Sequence, residues 1–217
     1  VLRLPETATG GGAAGNMVRS YTILLSIRRV VCNVLTNAFH SAAFYAYIAA
    51  APAVFMSVLG LSVKEFSLIP LLWGSGYVGT GLVLTNTPLF RANAHRMIIA
   101  GNVICLVASG LMAVMSMLGY WHPALMSVPA FFMGMGQSFC MPRNYTIALV
   151  AAPVEIAGAS SGLIGFAQYV FGTLAALATA AIAHTSPTPL ALIMLAWTVL
   201  ALLAYLAGGQ PGRNDMS

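Results

Sequence analysis

Long apolar runs, interrupted by short polar clusters, fill this chain from Arg29 to Gly208. A hydrocarbon layer about 30 Å thick needs roughly 20 apolar residues at helical rise. The runs long enough are 30–58, 66–89, 97–119, 123–150, 156–183 and 188–207. Strands crossing a bilayer alternate apolar and polar positions, whereas Val103–Leu118 and Leu190–Leu206 are apolar on almost every face. In lipid each backbone amide must find its partner within the segment, so such runs are helices. The pattern predicts an all-α integral membrane protein built as a six-helix transmembrane bundle.

Composition agrees: 59% of residues are hydrophobic and 6% charged, too little charge to cover a soluble domain. The connections Gly60–Glu65, Gly119–His122 and Thr185–Thr188 are short, so consecutive spans run antiparallel and leave no room for an extramembrane domain. Residues 1–20, with Gly10-Gly11-Gly12, read as a flexible cytoplasmic linker, 21–208 as the six-helix domain and 209–217 as a cytoplasmic tail. Val1 in place of Met raises two expectations, a start at Met17 or a chain that is the back part of something longer.

Charge sets the predicted orientation. Arg3, Arg19, Arg28, Arg29, Arg91, Arg96 and Arg213 fall on one side of the membrane and Lys64 on the other. Basic residues in short loops stay cytoplasmic, which puts both termini of this multi-pass protein inside. The net charge of +5 therefore reports topology. A nucleic-acid partner would require a clustered basic face, which is absent; the expected partners are the lipid bilayer and a small-molecule substrate.

The chemistry starts from an absence. Glu6, Glu65, Glu155 and Asp215 all lie in loops or tails, so the spans carry no carboxylate for proton relay or cation capture. There is no HExxH and no nucleophile elbow, and Cys32, Cys105 and Cys140 read as packing thiols. No enzyme, metal site or cofactor is expected. Polar residues at membrane depth are costly and mark candidate sites. His40 shares a face with Asn33, Asn37 and Ser41; it either bonds a neighbouring helix or senses protons. Gln137 and Asn144, seven apart, form a second polar face. Arg143 beside them either snorkels to the headgroups or meets an anionic ligand.

Prolines 52, 70 and 142 fall within spans and tend to kink them. Tyr45, Trp73 and Tyr169 are candidate cavity walls, with Gln168 next to the last. In span five Gly158, Gly162, Gly165 and Gly172 recur at helical spacing, a smooth face suited either to static packing or to one helix rocking on another.

Two stretches carry a family resemblance. Tyr45-Ala46-Tyr47-Ile48-Ala49-Ala50-Ala51-Pro52-Ala53-Val54-Phe55, followed by Gly60-Leu61-Ser62 and Phe66, resembles the seventh helix and following loop of the Bcr/CflA group of major facilitator drug-efflux transporters. Ala157-Gly158-Ala159-Ser160-Ser161-Gly162-Leu163-Ile164-Gly165-Phe166-Ala167-Gln168-Tyr169 is similar to that group's eleventh helix. The resemblance runs over about residues 21–207. It implies the C-terminal half of a twelve-helix transporter, an N-terminal six-helix half as partner, and proton-coupled export of small, mostly lipophilic compounds by alternating access. Under it, Asn37, His40, Tyr45, Trp73, Gln137, Arg143, Asn144, Gln168 and Tyr169 are candidate substrate contacts, and Pro52, Pro142 and the four glycines serve packing or gating. Arg91 and Arg96 sit where the family's second half keeps a basic loop motif, here without its acidic part. Arg143 departs from the uncharged residue expected at its position. The competing reading is a non-transporting six-helix scaffold or an inactive truncated half.

Overall fold

A computed structural model describes residues 17–87, 93–182 and 185–208. Its helices are α1 (Met17–Ser26), α2 (Arg28–Pro52), α3 (Val63–Phe66), α4 (Ile69–Thr85), α5 (Ala94–Met117), α6 (Pro123–Val150), α7 (Ala157–Ala180) and α8 (Thr188–Leu206). A π-helical turn, Ala53–Val58, extends α2, and a 3-10 turn, Val154–Ile156, leads into α7. Among the described residues six helical stretches, taken with these extensions and with α3 joined to α4, are long and apolar enough to cross a membrane, and there is no strand. The all-α six-span bundle expected from the hydropathy pattern is the one observed, consistent with half of a major facilitator fold.

The differences lie at the ends. The expected linker becomes helical at Met17, because Leu24 of α1 is buried in a cluster with Val30, Val34, Ile164 and Ala167. Residues 1–16, Arg91 and the tail 209–217 lie outside the described residues. Span two is divided. Ser62 Oγ accepts from the Glu65 amide at 3.3 Å while Glu65 Oε2 accepts from the Ser62 amide at 2.9 Å, a capping box that starts α3. Pro70 then falls in the first turn of α4, where a missing N–H costs nothing; it starts a helix and does not kink one. Pro142 lies inside an α6 that continues past it, while Pro52 ends the regular part of α2.

Helices α2 and α6 form the centre. Helix α6 packs against α4, α5 and α2, while α2 packs against α7 and α8, and α8 closes on α5. Glycines let backbones meet at two crossings of α6. A Cβ on Gly76 would strike the Phe131 carbonyl oxygen, and one on Gly134 the carbonyl of Trp73, so α4 touches α6 backbone to backbone. At the α5 crossing a Cβ on Gly136 would come within 2.6 Å of both Cys105 Sγ and the Gly101 carbonyl. Association in lipid depends on close fit and interhelical hydrogen bonds, and these crossings supply the first.

His95 Nδ1 and Tyr205 Oη are 2.8 Å apart, and Arg28 packs against Gly208, so the starts of α2 and α5 and the end of α8 share one end of the bundle. Ser116 Oγ and Thr188 Oγ1, 2.8 Å apart, join α5 and α8 at the other. There Gly119, at φ 81°, ends α5 in the left-handed region that a side chain would resist. Helices α4 and α7 flank the bundle. Only Ile69, Trp73, Gly76 and Leu84 of α4 are buried, and Phe166, Tyr169, Leu174 and Leu177 of α7 stay exposed.

Gly134→Val is expected to destabilise the bundle by about 1–3 kcal/mol by overpacking the α4–α6 crossing. Gly79→Ala, on the open face of α4 where a Cβ meets nothing, is expected to change little. Thermal unfolding of the two variants in one detergent checks the contrast.

Candidate functional site

Between α2, α4 and α6 lies a groove of about 320 Å³ lined by Ser41, Phe44, Ile48, Pro70, Trp73, Gly74, Tyr77, Gln137 and Met141. Each wall follows from local sequence. Pro70 opens α4 and sets the phase that turns Trp73 inward, where it is 3% exposed. Gly134 admits the Trp73 backbone, so the indole reaches across to α6. Its Nε1 donates to Gln137 Oε1 at 3.2 Å, and Gln137 Nε2 donates to the His40 carbonyl at 3.0 Å. One side-chain amide thus ties α4, α6 and α2 together, both its ends satisfied at membrane depth as burial requires.

Behind this wall lies a second polar layer. His40, fully buried, places Nε2 at 3.1 Å from Asn102 Oδ1 of α5 and 3.4 Å from Cys140 Sγ of α6. Asn102 Nδ2 donates to the Ile98 carbonyl at 2.9 Å, which fixes the amide so that its oxygen faces the imidazole. An amide oxygen only accepts, so His40 carries its proton on Nε2. His40 therefore supports the groove from behind and does not line it.

The aromatic residues form a band. The Trp73 and Phe44 ring centroids are 5.3 Å apart, Phe44 and Tyr45 are 5.6 Å apart, and Tyr45 and Tyr169 are 6.5 Å apart. The band runs from α4 across α2 to α7, and Tyr47, buried beneath it, meets Trp73 at 5.2 Å with its ring tilted by 39°. Gly172 lies directly under the Tyr45 ring. Apolar and aromatic faces with a few polar groups are the general lining of small-molecule pockets.

The residues singled out from the sequence separate accordingly. Trp73 and Gln137 line the groove, while Tyr45 and Tyr169 continue its aromatic wall beside half-buried Gln168. Asn37 and Asn144 are buried between helices, Asn37 donating to the Met141 carbonyl at 3.3 Å. Arg143 is half-buried and its Nη1 donates to the Phe139 carbonyl of its own helix at 3.1 Å; it is not a groove residue. The four glycines do not form one packed face. Gly172 is covered by Tyr45, Gly162 has the Tyr21 hydroxyl nearby, and a Cβ on Gly158 or Gly165 would meet nothing. Pro52 introduces the π turn, and Pro142 is exposed on α6.

Sequence reading passed over Asn102 and took Cys140 for a packing thiol. Asn102 was detectable as an amide inside an apolar run; Cys140 had no signal beyond its depth. Among the described residues no group of three or more His, Cys, Asp or Glu is placed to hold a metal ion.

No family model matches the chain. It is 26% identical over 185 residues to the Multidrug transporter MdfA of Edwardsiella ictaluri (strain 93-146), an alignment covering 78% of this chain and 42% of that protein. The chain thus spans about two fifths of that relative's length. The likeness supports a distant relationship to part of a multidrug transporter.

Gln137→Leu keeps the side chain's bulk but leaves the Trp73 N–H without its acceptor and the His40 carbonyl without this donor. It is expected to cost about 1–3 kcal/mol, against little for Gln168→Leu on the rim of α7. Thermal unfolding of both variants, followed by Trp fluorescence, checks it.

Proposed function

We propose that this chain forms one half of a membrane exporter for small, mostly lipophilic compounds, and that the aromatic band from Trp73 to Tyr169 is its share of the substrate path. The observation that carries the reading is the groove between α2, α4 and α6, whose aromatic wall is held open by the Trp73–Gln137–His40 bonds. The relative's name, a multidrug transporter, supports the class of cargo.

The Ala157–Tyr169 pattern supports the Bcr/CflA group of the major facilitator superfamily. The thinly covered flanks, α4 and α7, suit a second six-helix half that would complete the pore, the two halves rocking about a site between them by alternating access. Proton-driven antiport in a bacterial inner membrane, with both termini cytoplasmic, accords with the arginine asymmetry. Tyr45, Trp73, Gln137, Gln168 and Tyr169 are the proposed substrate contacts, with Asn37, His40 and Asn144 acting from behind the wall and Arg143 at its edge. Export is transport without covalent change, so no enzymatic step is proposed.

The test is accumulation of a fluorescent lipophilic dye in an efflux-deficient bacterial host. The chain produced alone is expected to leave accumulation unchanged, and the chain joined to an N-terminal six-helix half to lower it. In the joined protein Trp73→Ala is expected to cut efflux by about tenfold, the loss of roughly 1.4 kcal/mol of aromatic contact. Efflux from the chain alone, or full efflux with both Trp73→Ala and Tyr45→Ala, overturns the reading.

A further inference from the structure

The helix pair at the centre buries more polar atoms than the protein satisfies. Helices α2 and α6 run antiparallel in a register fixed at two points: Gln137 bonds the His40 carbonyl, and Asn37 bonds the Met141 carbonyl one turn along. The same register sets Asn33 across from Asn144, a further turn toward the Arg28 end. Asn144 is fully buried and neither atom of its amide has a partner from the protein. Asn37, 1% exposed, uses its nitrogen and leaves Oδ1 without one. His40, three residues on, uses Nε2 and leaves Nδ1 without one. The unmatched atoms lie along one seam, from near the Arg28 end to the depth of the groove, where the aromatic wall takes over.

Leaving a buried amide atom unmatched is costly, and a seam with several is polar enough to hold water, which needs two to four polar partners. Its atoms are complementary to water: two amide oxygens and a ring nitrogen that accept, and one amide N–H₂ that donates. We propose that water bound between α2 and α6 along Asn33, Asn37 and Asn144 connects Nδ1 of His40 to the Arg28 end of the bundle, making His40 the group through which this half takes up and releases a proton.

The step balances simply. A hydronium in the file gives its proton to the Nδ1 lone pair, forming one N–H bond and leaving neutral water; the ring becomes imidazolium while Nε2–H still donates to Asn102 Oδ1. Release reverses this at the same nitrogen. Of the titratable and charged groups, Cys140 on α6 touches the ring, and Arg143 on α6, Cys105 on α5 and Tyr77 on α4 lie within electrostatic reach of its sulfur. None is a carboxylate. The imidazolium would therefore be stabilised by oxygen dipoles, those of Asn102, Asn37 and the water itself. The hydrated seam stands on geometry alone; the use of its proton in transport rests on the proposed function.

The test uses the full chain in lipid vesicles with ¹⁵N-labelled histidine, the four histidines told apart by single His→Gln variants. Magnetisation transfer from water is expected to reach the His40 ring and to fall about tenfold in Asn37→Leu and Asn144→Leu, whose apolar side chains leave a dry seam. On acidification the Nδ1 resonance is expected to move from its lone-pair position to its protonated one. An unchanged His95 signal, reporting its contact with Tyr205, marks a folded variant; if neither variant folds, wild type alone decides. A His40 ring without water transfer in wild type, transfer that persists in both folded variants, or an Nδ1 that stays unprotonated until the chain unfolds overturns the proposal. Water transfer at His40 with no dye efflux from the chain joined to an N-terminal six-helix half supports the seam and removes the transport reading. Dye efflux with a dry His40 removes the seam alone.

Discussion

Hydrocarbon offers no hydrogen bonds, and the architecture of this chain derives from that constraint. Backbone groups are satisfied within helices, while polar side chains must either bond their own helix or reach a neighbour. The second option supplies the specific contacts between spans: Ser109 with Thr198 at 2.8 Å, Ser116 with Thr188 at 2.8 Å, Tyr145 with Ser161 at 2.5 Å, and the chain from Trp73 through Gln137 to His40. Apolar surface drives helices together only weakly in lipid. These bonds and the glycine crossings therefore determine which helix faces which.

The same rule gives α6 its central position. It carries Gly134 and Gly136 for the crossings with α4 and α5, and Gln137 and Cys140 for the polar layer between them. Close approach and polar bonding reinforce one another, since a backbone that comes near brings short side chains within bonding distance. Helices α4 and α7 have fewer such anchors and keep most of their surface exposed, which is why the aromatic band ends on them.

Span count and approximate limits were legible because Val103–Leu118 and Leu190–Leu206 are uniformly apolar, a signal that needs no partner to interpret. The site was legible only in part. Trp73 and Gln137 stand out by residue type, yet the bond between them joins positions 64 apart in sequence, and His40 finds Asn102 across 62. A lone amide in an apolar run has no periodicity, so Asn102 offered no hint of its partner. The glycines of α7 share a helical spacing, but Tyr45 covers only Gly172, and which neighbour fills a smooth face depends on side chains elsewhere. Helix α1 escaped notice because its order comes from Leu24 burying itself against α7, a tertiary effect on a segment too short to be helical alone.

The π turn after Pro52 fixes the phase of the residues beyond it. The Leu59 amide reaches back five residues to the Val54 carbonyl at 3.0 Å, and the Leu61 amide six, to Phe55, at 2.9 Å. One residue more than an α turn needs is thereby stored in the wall of the helix. Removing a single residue from Ala53–Val58 would convert the wide turn to an ordinary one and rotate the side chains beyond the deletion by about 100° relative to those before it. The ring at position 55 would then leave Tyr47, and the Gly60 end of the helix would address a different neighbour. This short segment acts as a phase reference, where sequence length is read out as direction.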